Sequence, residues 1–144
     1  MSEENIQLAR YLNLLFRYSN IESHQAAAKH AMKFLTIPEV AEDLYITCGV
    51  LQAASELERP PVHVTLLGSK KDEKAKILWP EALKFPLSYH RVDWWDKSEG
   101  PLPANDVSYP ELSRPAVFTC TESRCSLPAF EISDIQKRIG NLTK

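Results

Sequence analysis

The period of the hydrophobic pattern changes once along the chain. Over residues 1–58 it is helical. Ile6, Leu8, Ala9, Tyr11, Leu12, Leu14, Leu15 and Phe16 fill i, i+3 and i+4 steps and leave Asn5, Arg10, Asn13 and Arg17 elsewhere. Such spacing predicts a helix buried on a wide face. Ser19-Asn20 interrupts it. A second helix is expected from about Ser23 to Leu35, with Ala26, Ala27, His30, Ala31, Phe34 and Leu35 on its inner side. Pro38 suits a helix start, so a third helix is expected from Glu39 to about Leu57. Its inner face would be Val40, Leu44, Thr47, Cys48, Leu51 and Ala54. Short connections make successive helices antiparallel neighbours, which gives a helical-hairpin array.

At Arg59-Pro60-Pro61 the pattern switches. Val62-His63-Val64-Thr65-Leu66-Leu67 is β-branched and apolar, closed by Gly68, and predicts a strand. Lys70 to Leu83 reads as a charged helix with Ala75, Leu78, Trp79 and Ala82 as its buried stripe, bent or restarted at Pro80. A second strand is expected from Leu87 to about Asp93, which completes a βαβ unit with parallel strands. Residues 94–114 read as a loop rich in Pro, Asp, Ser and Glu. A third strand follows from Ala116 to Thr121, and Ser133-Asp134 is suited to cap a last helix ending near Gly140. The expected fold is therefore α/β. Antiparallel helical hairpins over 1–58 pack on a small three-stranded, mainly parallel sheet over 59–144, with a C-terminal helix and one continuous core.

Composition narrows the function classes. With 144 residues the chain can bury enough surface for a core without metal or disulfide staples. A net charge of -2 gives no basic excess for nucleic acid or an anionic membrane. No apolar run reaches the length of a membrane span, and the acidic start, Met1-Ser-Glu-Glu, lacks the regions of a signal peptide. The expected compartment is cytoplasmic, and an odd number of cysteines, 3, argues for a reducing one. All 4 glycines stand alone, so no phosphate-cradling loop is available and no cofactor is expected.

Cys120 and Cys125 are the best candidates for chemistry. Four intervening residues, Thr-Glu-Ser-Arg, can close a tight loop that brings the sulfurs within bonding distance. Three readings stay open: a structural or inert pair, a redox-capable pair, and part of a metal site. A zinc site would be incomplete, since His63 and His90 lie on other strands without ligand spacing. No metal is expected. Cys48 and His30 read as buried residues of inner helical stripes. His63 and His90 alternate with apolar strand neighbours and so face the other side, half-buried or solvated. Trp94, Trp95 and Asp96 follow the second strand. Ligands of open parallel sheets bind beyond the carboxyl ends of the strands. If all three strands run parallel, Gly68-Ser69, Asp93 to Asp96 and Cys120 to Cys125 gather at that edge. The tryptophans would then form a binding surface, or else pin the long loop to the core.

The last third resembles a known family. Pro115-Ala-Val-Phe-Thr-Cys120-Thr-Glu-Ser-Arg-Cys125-Ser-Leu-Pro128 is similar to the C-terminal signature of the thioredoxin-domain-containing, six-hairpin-toroid proteins (domain of unknown function 255, spermatogenesis-associated type). Cys120, Cys125 and Pro128 match the signature. Val62 to Gly68 resembles the family's apolar strand, and Asn5 to Leu35 its final helical hairpin. The resemblance implies a chain that ends a helical toroid and adds a small α/β cap. It carries over no catalytic residue, only the two signature cysteines.

Three functions are in view. The first is a non-catalytic module of such a protein, packing against the remainder of its parent or self-associating through the N-terminal helices. The second is a thiol–disulfide module using Cys120 and Cys125. The third is small-molecule or sugar binding near Trp94 and Trp95, which rests on analogy. No complete catalytic constellation is present, so enzymatic activity, if any, would be of the thiol–disulfide oxidoreductase kind. The local pattern adds a geometric expectation. Phe118 and Cys120 share one face of their strand. Phe118 should meet helical cover, Cys120 should be at least half buried, and the loop should bring Cys125 over it with the Cα atoms within roughly 7 Å.

Overall fold

The computed structural model describes residues 2–43, 45–104, 107–121 and 124–142. Leu44, placed on an inner face by the sequence, Asn105 and Asp106 of the stretch read as a loop, and Glu122 and Ser123 between the two cysteines lie outside them. The chain divides into two compact units, Met1–Pro61 and Val62–Lys144.

In the first unit, α1 (Ser2–Ser19) and α2 (Glu22–Leu35) form a hairpin. Asn20 turns the chain between them in the left-handed conformation, with φ 55°, and its N–H donates to Phe16 O at 2.8 Å. Asparagine tolerates this region better than most side chains. The core is Ile6, Ala9, Ala31, Met32, Leu35, Val50 and Ala53. On α2 the inner stripe is Ala28, Ala31, Met32 and Leu35, while Ala26, Ala27 and His30 are exposed. His30 is thus a surface residue, contrary to the periodicity reading.

The expected third helix is two, α3 (Pro38–Ala41) and α4 (Thr47–Glu58). Side chains break it. Asp43 Oδ1 accepts from Tyr45 N at 3.0 Å, and Thr47 Oγ1 donates to Ala41 O at 2.9 Å and Asp43 O at 2.7 Å. Such local bonds compete with the helical ladder. The restart resets the helical phase, so Val50, Ala53 and Glu56 face inward, and Cys48 and Leu51 face solvent. Gly49 lets α1 approach: a Cβ there would stand 3.0 Å from Ile6 Cδ1. A buried polar knot joins the same helices. Asn13 Nδ2 donates to Glu56 O at 2.8 Å, and Arg10 grips the Glu56 carboxylate through two nitrogens, at 2.9 and 3.0 Å.

The second unit is built on a mixed sheet of order β2-β1-β3. β1 (Val62–Leu67) is central, parallel to β2 (His90–Trp95) and antiparallel to β3 (Ala116–Cys120). Between β1 and β2 runs α5 (Glu73–Leu83). The Asp72 side chain caps it, accepting from Lys74 N at 2.7 Å and Ala75 N at 3.3 Å. The helix continues through Pro80, whose ring nitrogen donates nothing to the ladder. The last helix, α6, spans Ile132–Leu142. Gly68 closes β1 with φ 154°, and a Cβ there would stand 2.8 Å from Pro115 Cβ, so the position requires glycine.

Alternation along the strands divides the sheet into two unlike faces. Val64, Leu66 and Val117 pack with Ala75, Leu78, Ala82, Phe85 and Ile135 in a helix-covered core. On the opposite face Leu67, Ala116, Phe118 and Cys120 pack with Trp95, Val107, Tyr109, Leu112 and Phe130. Phe118 therefore meets loop side chains rather than the expected helical cover, with Tyr109 at 5.4 Å between ring centroids. Of residues 94–114, read as a loop, Trp94 and Trp95 instead end β2 and Lys97–Glu99 form a short 3-10 turn, while Val107, Tyr109 and Leu112 cover the sheet face with apolar side chains of their own.

Candidate functional site

After β3 the chain turns back and pairs with it. Val117 bridges Ala129, with N–H···O contacts of 2.9 Å in both directions. Cys120 bridges Cys125, flanked by Thr121 N donating to Arg124 O and Ser126 N to Thr119 O, both at 2.8 Å. Two residues separate Val117 from Cys120, and three separate Cys125 from Ala129. The returning segment thus carries one extra residue, a bulge, where Leu127 is exposed and Pro128 has no N–H to donate. The segment also covers the outer edge of β3, which would otherwise offer unpaired backbone groups.

Cys120 and Cys125 oppose each other in this hairpin with Cα atoms 4.0 Å apart, and their sulfurs are bonded. The expected proximity and burial of Cys120 both hold. The two ends differ: Cys120 is 1% exposed within the sheet cluster, whereas Cys125 is exposed. Because β3 runs antiparallel to β1, the pair lies at the edge where β1 begins, opposite His63. The gathering of the cysteines with Gly68 and Asp96 that three parallel strands would give does not occur.

A buried polar cluster shares the loop-covered face. His63 Nε2 contacts Asp93 Oδ2 at 2.7 Å and Thr65 Oγ1 at 2.9 Å, and Thr65 Oγ1 meets Tyr109 Oη at 2.7 Å. Arg91, 2% exposed, donates from Nε to Asp93 Oδ2 at 2.5 Å and from Nη2 to Ala104 O at 3.0 Å. Burial pushes the Asp93 carboxyl upward, but the hydrogen bond from His63 and the Arg91 charge outweigh it, and its pKa lies below the ordinary value. A hydroxyl, an imidazole and a carboxylate in contact suggest a catalytic relay, which the atoms rule out. A relay uses the two ring nitrogens on opposite sides. Here Thr65 and Asp93 both meet Nε2, and Thr65 is fully buried. What the cluster does is hold the loop: Tyr109 and Ala104 belong to it, and both are received by strand side chains. His90, by contrast, is half-buried beside Phe85, with Nδ1 against Leu87 O.

Trp94, Trp95 and Asp96 lie at the carboxyl edge of β1 and β2, as read from the sequence, but they point different ways. Trp94 stacks at a tilt on Trp79, 5.3 Å away, and donates from Nε1 to Gly68 O at 2.9 Å. Trp95 sits under the loop against Tyr109 and donates from Nε1 to Gly100 O at 2.8 Å. Asp96 accepts from Lys70 N at 2.8 Å, Ser98 N at 3.0 Å and Ser98 Oγ at 2.8 Å. The Lys70 bond foremost, then those from Ser98, lowers its pKa to about 2. Beside it opens a cleft of about 420 Å³, lined by Gly68, Ser69, Asp72, Asp96, Glu111 and Arg114 among others. Around it Lys74 N and Ala75 N at the start of α5 serve Asp72, and Lys70 N and Ser98 N serve Asp96. Among the described residues no group of three or more His, Cys, Asp or Glu side chains is arranged to hold a metal ion, and no helix is long and apolar enough to cross a membrane.

Compared with family models, curated proteins and solved structures, the chain finds no match.

Proposed function

We propose that the chain serves as a non-catalytic C-terminal module of a larger protein of the thioredoxin-domain, six-hairpin kind, packing its helical hairpins against the rest of its parent. One observation carries this reading. On α1, Leu8 and Tyr11 are 47% and 63% exposed, and with Glu3, Glu4 and Gln7 they line a shallow apolar depression. In a toroid of hairpins each helix pair buries its outer apolar face on the next pair, so an end hairpin taken alone shows that face to water. The expected behaviour is concentration-dependent association in sedimentation, with binding of an apolar dye, both reduced by Leu8→Lys with Tyr11→Ser. A clean monomer at high concentration that binds no dye overturns the reading.

The bonded cysteines favour a second role, thiol–disulfide exchange. The supporting observation is that Cys125 is exposed at the end of a hairpin held by backbone bonds of its own. Thiol alkylation and mass measurement should count one reactive thiol, Cys48, in the oxidised chain and three after reduction, with return to one under mild oxidation. The pair's potential is expected in the range of cytosolic thiol pools, about -220 to -320 mV. Three thiols under every mild oxidant would sink this role.

A further inference from the structure

We infer that the Cys120–Cys125 disulfide is a one-way entry for a dithiol reductant: the incoming sulfur attacks Cys125, and Cys120 is the sulfur that leaves. The inference rests on the thiol–disulfide role and adds which sulfur does what.

Thiolate attack on a disulfide proceeds in line with the S–S bond, so the attacker must approach each sulfur from the side away from its partner. Cys125 is the exposed partner, so solvent reaches this end of the pair. Cys120 lies in the interior of the sheet face, where it packs in one cluster with Leu67, Ala116 and Phe118. Access thus selects Cys125. The steps balance as follows. A thiolate of the dithiol bonds to Cys125 Sγ, the Cys120–Cys125 bond breaks, and Cys120 Sγ departs with the electron pair and takes a proton from solvent. The dithiol's second thiol, as thiolate, then attacks its own sulfur in the mixed disulfide and releases Cys125, which is protonated in turn. The dithiol is oxidised to a disulfide, and the protein pair gains two electrons and two protons.

The fold also explains why the opened pair can close again. Cys120 stays in the ladder with β1, opposite His63. The hairpin keeps its own bonds, Thr121 to Arg124, Ser126 to Thr119, and the Val117–Ala129 pair. Both thiols therefore remain opposed after reduction, and the inner one is positioned to expel whatever is attached to the outer one.

The test uses the full chain carrying only Cys48→Ser, an exposed site, so that the native pair is intact. Dithiothreitol first shows whether the folded disulfide is reduced at all. Excess glutathione then forms the mixed disulfide, which is sampled by acid quench from the earliest times, before Cys120 expels the glutathione, and is unfolded, alkylated and mapped by peptide mass. We expect glutathione on Cys125 and the alkyl group on Cys120 in at least ~10-fold excess over the reverse arrangement, as access-controlled exchange requires. The excess should vanish when the same reaction is run on the urea-unfolded chain. Glutathione on Cys120, or equally on both, in the folded chain overturns the inference and leaves the redox role standing. A folded disulfide that dithiothreitol does not reduce overturns the redox role itself. Association through α1 is unaffected by either outcome.

Discussion

The two faces of the three-stranded sheet are covered by different means, and the chemistry of each follows from its cover. The helix-covered face is apolar: Val64, Leu66 and Val117 meet Ala75, Leu78 and Ile135. A helix arrives with its backbone bonds already made, so only shape and apolar area matter. The opposite face is covered by an irregular segment, whose backbone groups have no ladder of their own. That face supplies partners from side chains. Arg91 receives Ala104 O, Trp95 donates to Gly100 O, and Thr65 meets the Tyr109 hydroxyl. A loop used as a lid over a sheet thus requires buried polar anchors, and these bring His63 and Asp93 with them. The cluster resembles an active site because it solves a hydrogen-bonding problem, since buried polar groups must be paired.

The comparison breaks most visibly at Arg91. Arg91→Ala leaves Asp93 short of its cationic partner and Ala104 O without its donor. Removing one partner of a buried ion pair costs about 3–5 kcal/mol. Urea unfolding should show this loss, and limited proteolysis should show earlier cutting within 101–114. A variant of native stability whose loop resists protease would mean that the loop is held by its apolar side chains alone.

Leu66→Ala tests the other face. It removes a fully buried side chain from the helix-covered core. The expected cost is about 2–5 kcal/mol, with protease sensitivity of 101–114 rising only in step with global unfolding. The contrast between the two variants, local against global opening, is what the two kinds of cover predict. If Leu66→Ala opens the loop selectively, the faces are coupled and the distinction fails.

The helix-covered face is also the part that the sequence shows best. Alternating β-branched residues locate β1 and the Ala75, Leu78 and Ala82 stripe locates α5; the odd-even pattern also puts Phe118 and Cys120 together on one face of β3, but the helical cover expected over them lies on the other face. The loop-covered face was hidden for a physical reason. His63, Thr65, Arg91 and Asp93 are polar at alternate strand positions, which is also the signature of a solvated face. Their burial depends on Val107, Tyr109 and Leu112, three apolar residues scattered through a Pro-rich stretch. That scatter, together with a loop of unusual length, was the available signal. The direction of β3 was equally hidden, since strand periodicity carries no orientation. On α4 the error had another source. Asp43 and Thr47 break and restart the helix, and a period read across that break puts Cys48 inside when it is outside.

A smaller effect sharpens the picture at one hydroxyl. Tyr109→Phe keeps the ring contacts with Phe118 and Trp95 and removes the hydroxyl's bond to Thr65. The loss should be about 1 kcal/mol, the ordinary net worth of a hydrogen bond. Thermal melting resolves it, and no change would show that Tyr109 holds the loop by its ring rather than its hydroxyl.

Acid separates the carboxylates of this unit from its apolar face. Asp96 has its pKa lowered from 3.8 to about 2, so its folded form favours the ionised state. Stability from a depressed carboxylate is complete above its unfolded value and is lost as pH falls through the folded one. The Asp96 contribution should therefore be intact above about pH 4 and vanish between pH 4 and pH 2. Asp93, also depressed, adds its loss in the same direction. Asp96→Asn should flatten the pH dependence of the urea midpoint over that window, and an unchanged slope would remove Asp96 from the account.

The smallest effect is expected at Lys97 and Glu111, which also join the carboxyl edge of β2 to the loop, at 3.1 Å. This pair has the same topology as Arg91 with Ala104 but lies in water, with side chains 50% and 94% exposed. Exposed pairs contribute about 0–1 kcal/mol because solvent screens the attraction and two long side chains lose freedom. Lys97→Ala should therefore leave the urea midpoint and the protease pattern of 101–114 near those of the parent, and added salt should erase any residual difference. The comparison with Arg91 is then internal to one loop: two cations reach the same segment, and burial decides which one holds it. A large loss at Lys97 would mean that the lid is fastened at its exposed margin, and that the buried cluster follows the loop rather than fixing it.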